Sequence, residues 1–139
     1  MKPDIIVAVG VIDDGMGNCL ITRRPLNVAQ GGLWEFPGGK VDAGESIEAA
    51  LARELYEELA ITISYPQVIM TQQYDYPGCC VLLHFFRVQR FEGTPQIKAG
   101  QLDLAWVGVD ELSNYEFPKA NYSLIEHLQS EYLSCQTPY

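Results

Sequence analysis

Histidine is scarce in this chain, with only His84 and His127, and its four cysteines (Cys19, Cys79, Cys80 and Cys135) show no paired C-x-x-C spacing. A zinc site is thereby disfavoured, and the cysteines read as reduced cytosolic thiols. Basic residues are also few: 9 Lys and Arg stand against 18 Asp and Glu, a formal net charge of -9. Duplex DNA is bound mainly through basic groups on phosphates, so no direct nucleic-acid binding is expected. A small phosphorylated substrate stays compatible with this charge, because a bound metal inverts it locally. No segment approaches the ~20 apolar residues of a membrane span. The start, MKPDIIVAVG, has no long apolar run after a basic stretch. We therefore expect no signal peptide and no membrane partner, and a cytoplasmic location.

What is present suits one globular domain: 139 residues, 47% of them apolar, without repeat, low-complexity block or linker. We take residues 1–133 as that domain and 134–139 as a frayed tail. Ile5 to Ile12 is β-branched and apolar and reads as a buried strand. A turn rich in Gly, Asp and Asn follows, then a return strand from Cys19 to Thr22. Residues 26–45 read mostly as loop. Gln67 to Tyr74 and Cys79 to Arg90 read as two strands, with Asp75-Tyr76-Pro77-Gly78 as their hairpin turn. His84 falls inside the second as a strand residue. Leu104 to Val109 is a shorter strand. Tyr122 to Leu133 carries Leu124, Ile125, Leu128 and Leu133, consistent with a C-terminal helix. This order suggests a mixed sheet covered on both faces, an α/β/α sandwich.

The strongest helix runs from Ser46, a plausible N-cap, to about Leu59, with Glu48 in its first turn. At roughly 100° per residue, Ile47, Ala50, Leu51, Leu55 and Leu59 form one apolar stripe. Glu54 and Glu58 fall at the edge of that stripe, and Glu57 on the adjoining face. Like charges at this spacing each cost about 0.2–0.5 kcal/mol on an open helix, and more where the dielectric falls. Such a cluster needs a counter-ion or raised pKa values. Magnesium fits, since it takes one or two carboxylates and fills the remaining positions with waters and phosphate oxygens. A solvated acidic face is the plainer reading of E-x-x-E-E alone, and Arg53 then simply pairs with Glu57. Gly38, Gly39 and Gly44 shift the balance, because they let backbone approach a ligand closely. Glu45 is spaced to meet the Arg53 guanidinium and brace the turn on the helix.

Gly39, five residues, Glu45, seven residues, Arg53-Glu54-Leu55, one residue, Glu57-Glu58 together match the Nudix box, so the chain resembles the Nudix hydrolases. Where the box ends in glycine and an aliphatic residue, this chain has Ala60-Ile61. Ile6 to Gly10, Ile21 to Arg24, Leu33 to Lys40 and Phe117 to Asn121 resemble the MutT branch, the 8-oxo-dGTP diphosphatases. The likeness runs from about residue 5 to about residue 130. It implies the Nudix α/β/α sandwich with a mixed sheet. It implies a metal site of the Gly38 carbonyl, Glu54, Glu57 and Glu58, taking Mg2+, with Mn2+ as a substitute. Arg53 and Glu45 would brace the box. Arg24, Glu35, Phe36, Pro37, Gly38, Lys40 and Asn121 would meet the nucleotide, with the base near Phe36 and Asn121. Taken alone, Phe36 is more often core and Asn121 a helix cap. Two departures stand out: Ala99 where MutT has a glutamate, with Asp103 nearby but offset, and Ala29 where it has a histidine.

The expected activity is Mg-dependent hydrolysis of a nucleoside triphosphate to a monophosphate and pyrophosphate. The expected substrate is 8-oxo-dGTP, making the chain a sanitiser of the nucleotide pool that protects replication fidelity. Glu54 would orient or deprotonate the attacking water, and Glu57 and Glu58 would be the first metal ligands. Lys40 would neutralise leaving-group charge. CTP or dCTP pyrophosphohydrolases share the Gly32-to-Lys40 run and are the enzyme alternative. They tend to have Asp in place of Asn121, and an ionised Asp accepts but does not donate. A non-catalytic nucleotide-binding domain is the further alternative, though such domains usually lose box glutamates. The expected state is a monomer or small homo-oligomer.

Overall fold

A computed structural model describes residues 2–136. The central sheet has the order β4-β1-β7-β6, built from β1 (Ile5–Ile12), β4 (Gly38–Lys40), β6 (Gln67–Tyr76) and β7 (Cys79–Val88). β1 and β7 run parallel from Ile5↔Val81 to Ile12↔Val88, while β4 and β6 flank them antiparallel. A second sheet, β3-β2-β9, joins β2 (Asn18–Arg23) to β3 (Trp34–Glu35) and β9 (Asp103–Gly108). β5 (Thr62–Ser64) and β8 (Arg90–Glu92) form a small ribbon. The mixed sheet and α/β class agree with the sequence.

Two helices complete the fold: α1 (Ile47–Leu59) and α2 (Tyr122–Gln136). Apolar residues on both sides of the strands explain the layering. Ala8, Ile12, Leu20, Phe86 and Val88 pack with Ala50, Leu51, Leu55 and Leu59 of α1. Val9, Val11, Ile21, Leu83 and Phe85 pack with Leu124, Ile125 and Leu128 of α2. Each buried leucine of the α1 stripe stabilises the fold by roughly 1.5–3 kcal/mol.

Several expectations need correcting. Residues 26–45 are not uniformly loop, because β3 and β4 lie within them. They are two and three residues long, so pairing with β2 and β1 defines them rather than propensity. The hairpin strands extend through Tyr76, leaving Pro77-Gly78 as the turn, with Gly78 at φ +77°. Leu133 is 66% exposed rather than part of the core stripe. α2 runs through residues 134–136 of the expected tail, and the rest of that tail lies outside the described residues. Among the described residues, no helix is long and apolar enough to cross a membrane.

Candidate active site

The site begins with the turn into α1. Ser46 caps the helix, its Oγ accepting from the Ala49 N–H at 3.1 Å. Glu45 receives Arg53 Nε on one carboxylate oxygen at 2.8 Å and Arg53 Nη2 on the other at 3.0 Å. The second oxygen also accepts the Asp42 N–H, and Arg53 Nη2 donates to the Lys40 carbonyl at 3.0 Å. Arg53 thus ties β4, the turn and the helix together through its planar fork. The guanidinium holds the Glu45 carboxyl down at about 2, and Glu45 in turn raises the Arg53 pKa further.

The remaining box carboxylates lie against β4. A Cβ on Gly39 would stand 2.3 Å from the Glu54 carboxyl carbon, so glycine here lets the Glu54 carboxylate lie against the β4 backbone, and a side chain would push that flexible end aside. A Cβ on Gly38 would meet the Ala8 carbonyl oxygen at 2.1 Å, which fixes glycine where β4 crosses β1. The Gly38 N–H donates to Glu58 Oε2 at 3.1 Å. Burial, and then the nearby Glu35 and Glu54 carboxylates, push Glu58 up to about 8 despite that hydrogen bond. Burial also raises Glu54, against the pull of Arg53. Glu57 is more open and stands 3.5 Å from Arg53 Nη1.

These donors suit a hard divalent cation, being oxygen ligands around a crowded, partly desolvated anionic centre. The structure brings Glu54, Glu57, Glu58 and Gly38 to one face of the β4–α1 junction but does not close them on a point. Among the described residues, no three His, Cys, Asp or Glu side chains stand in position to hold a metal ion. The reason is visible in their partners: Glu54 is bonded to Arg53 Nη1 at 2.9 Å, Glu57 faces the same guanidinium, and Glu58 is bonded to Gly38. Ligation therefore requires side-chain rotation away from these partners.

The expected nucleotide contacts are placed less uniformly. Arg24 is engaged within the protein, donating from Nη1 to Glu35 at 2.8 Å and from Nε to the Ala29 carbonyl at 3.0 Å. Burial raises the Glu35 pKa, with Arg24 opposing. Pro37 accepts the Gly10 N–H, and Lys40 is exposed. Phe36 is 4% exposed and stacks on Phe117 at 5.2 Å. Asn121, 7% exposed, ends a short 3-10 turn before α2, and its amide donates to the Pro118 carbonyl at 3.4 Å. Ala99 is exposed and Asp103 sits on β9 beside Arg23.

A cleft of about 590 Å³ lies beside these residues, with Tyr74, Tyr76, Tyr115, Phe117, Lys119 and Tyr122 among its walls. Sequence reasoning gave the tyrosines little weight; the available signals were that Tyr74 and Tyr76 flank the hairpin turn and that Phe117 and Lys119 lie in the MutT-like stretch Phe117 to Asn121. Gln101 was also missed: its Nε2 donates to the Glu58 carbonyl at 3.2 Å, next to the Lys98 N–H at 3.0 Å, and satisfies the end of α1. A larger cavity of about 770 Å³ opens between the loop at Gly15 to Gly17 and the end of α2. Neither cavity is lined by the box carboxylates; the smaller cleft is the candidate for the nucleoside because Phe117 and Pro118 in its wall contact Phe36 and Asn121.

A sequence model described as NUDIX domain matches residues 8–127. The chain is 37% identical over 123 residues to the 8-oxo-dGTP diphosphatase of Escherichia coli K12, covering 88% of this chain and 95% of that protein. It is 37% identical over 122 residues to the CTP pyrophosphohydrolase of the same strain, covering 88% and 90%. Among solved structures, a MutT described for the fish pathogen Aliivibrio salmonicida and for Vibrio cholerae matches with a TM-score of 0.80 at 38% identity, covering 91% of this chain and 98% of that one. The chain belongs to the Nudix family of hydrolases. Enzymes of its MutT-type relatives' class depend on a metal and act on small nucleotide substrates.

Proposed function

We propose that this protein is a magnesium-dependent nucleoside triphosphate pyrophosphohydrolase of the cytoplasm that prefers 8-oxo-dGTP. The observation that carries the reading is the junction of β4 and α1, where Glu54 and Glu58 crowd the Gly38-Gly39 backbone with Glu57 beside Arg53, and where burial and neighbouring carboxylates lift the Glu58 pKa. Such a centre gains by exchanging a proton for a divalent cation. Magnesium, with manganese as a substitute, would neutralise triphosphate charge and lower the pKa of the attacking water. Glu54 is the candidate to orient that water or take its proton, and Glu57, Glu58 and the Gly38 carbonyl are the candidates to hold the metal. Glu45 and Arg53 keep the turn in register. Lys40 is exposed at the end of β4, where its ammonium can meet leaving phosphate charge.

The purine preference rests on Asn121, whose amide offers both a donor and an acceptor. A specific observation also favours CTP or dCTP: the CTP pyrophosphohydrolase relative is as similar as the 8-oxo-dGTP diphosphatase. The complete box carboxylate set speaks against a purely binding domain. Magnesium-dependent pyrophosphate release, compared across 8-oxo-dGTP, dGTP, CTP and dCTP by kcat/KM, tests all three. The highest value for 8-oxo-dGTP is expected. Preference for cytidine nucleotides would overturn the substrate, and absence of release from any of them would overturn the enzyme.

A further inference from the structure

Arg24 was expected to meet substrate, and in the structure two of its guanidinium nitrogens are bonded within the protein. Nη1 is bonded to Glu35 at 2.8 Å and Nε to the Ala29 carbonyl at 3.0 Å. Its backbone is committed as well, with the Arg24 N–H on Leu33 O and the Arg24 carbonyl receiving the Gly32 N–H. Everything between those contacts is a loop, residues 25–32, that buries little of its own. Leu26 is 73% and Val28 41% exposed, and Gln30 holds a positive φ of 55°. Its internal bonds are few, Gly31 N–H to the Val28 carbonyl and Leu33 N–H to the Gln30 carbonyl, and its far end is held by Arg23 Nε on the Gly32 carbonyl at 2.8 Å. Such a segment opens easily unless something anchors it. The same loop supplies Gln30, and its end Leu33, to the wall of the 590 Å³ cleft.

We propose that Arg24 and Glu35 form a strut that fixes the 25–32 loop at the edge of the nucleoside cleft, so that Arg24 is a positioning residue for the wall supplied by Gln30 and Leu33. Glu35 is the fixed end, because β3 pairs it with Thr22 of β2. Ala29, in the middle of the loop, is the other end. Arg24 spans the two with different nitrogens of one planar group, and a lysine cannot reproduce that fork. The role deepens the proposed nucleotide chemistry and rests on it. The mechanical part does not, and it can be measured without substrate.

The test uses Arg24→Lys, which keeps the positive charge but not the fork, and Glu35→Ala, which removes the fixed end. Amide hydrogen exchange at Gly31, Gly32 and Leu33 is followed in the metal-free, nucleotide-free protein. Both variants should speed exchange there by about three- to tenfold, the loss expected for one or two net hydrogen bonds, while amides of β1 and β7 stay protected. In turnover, both should raise KM more than they lower kcat, and should narrow the ratio of kcat/KM between 8-oxo-dGTP and dGTP. Unchanged exchange in both variants overturns the strut. It is also overturned if Arg24→Lys keeps wild-type KM with undisturbed exchange, since charge alone then suffices. If the wild type releases no pyrophosphate from any nucleotide, the functional reading fails while the exchange result still decides the strut.

Discussion

Replacing Glu58 by glutamine should abolish most turnover and yet stabilise the metal-free protein at alkaline pH. In the free protein, burial and the Glu35 and Glu54 carboxylates raise this acid from an ordinary 4.5 to about 8. An acid that keeps its proton longer when folded contributes most stability below its unfolded pKa. That contribution falls as pH rises through the folded value. Each pH unit in the window is worth about 1.4 kcal/mol, which sets a ceiling of roughly 5 kcal/mol. Water entry and rotation of Glu58 reduce this to about 2–3 kcal/mol. Glutamine is neutral throughout, still accepts the Gly38 N–H, and turns an amide donor towards the neighbouring carboxylates. Urea unfolding in chelator from pH 5 to 9 reads the difference. Wild type should lose clearly more stability from pH 5 to 8.5 than Glu58→Gln, in which the raised Glu54 and Glu35 carboxyls leave a smaller fall, the two curves meeting near pH 5. Parallel curves, or a less stable variant at pH 8.5, would refute the crowded-carboxylate argument. Near-normal magnesium-dependent turnover in the variant would refute the metal role.

Other substitutions probe the braces and the cleft. Asn121→Asp should shift kcat/KM away from 8-oxo-dGTP towards cytidine nucleotides, and should cost about 1–2 kcal/mol through loss of the buried amide donor to Pro118; an unchanged substrate ratio would remove Asn121 from the specificity argument. Ala60 ends α1 in the left-handed region at φ 59°, so Ala60→Gly should raise stability by about 0.5–1 kcal/mol in denaturant melts. Arg53→Lys should let the Glu45 carboxyl rise from about 2 towards its ordinary value, followed by its NMR titration. The sign follows from a depressed acid: the brace contributes stability above the ordinary carboxylate pKa and loses it as pH falls through about 2, so the variant should lose less on acidification.

The sequence made α1 plain because three signals coincide there: an apolar stripe, the Ser46 cap and a spaced set of charges. β1 and β7 were equally readable, since each is a continuous apolar run. β3 and β4 were not, because Trp34-Glu35 and Gly38-Gly39-Lys40 are too short for periodicity and become strands only against β2 and β1. The chemistry of the box was legible in residue types, whereas the orientation of its carboxylates towards Arg53 and Gly38 depends on how β4 approaches the helix. The cleft was the least legible part. Its tyrosines come from the hairpin and from the stretch leading into α2, and nothing local joins them. Phe36 and Asn121 also lie deeper than their motifs suggested, behind Phe117 and against Pro118.

The parallel pairing of β1 with β7 has a consequence for how the protein is made. β1 is synthesised well before β7, and Ile5 must wait for Val81 before it has its central partner. Until then its apolar run can pair only with the three residues of β4. Distant pairings of this kind form slowly and leave strand edges open to other chains. The glycine turn of the candidate site is hung on that same strand, through Gly38 and Gly39. Assembly of the β4–α1 junction is therefore tied to a late step of biogenesis, and a nascent chain stalled before β7 would present a sticky strand and an incomplete candidate site.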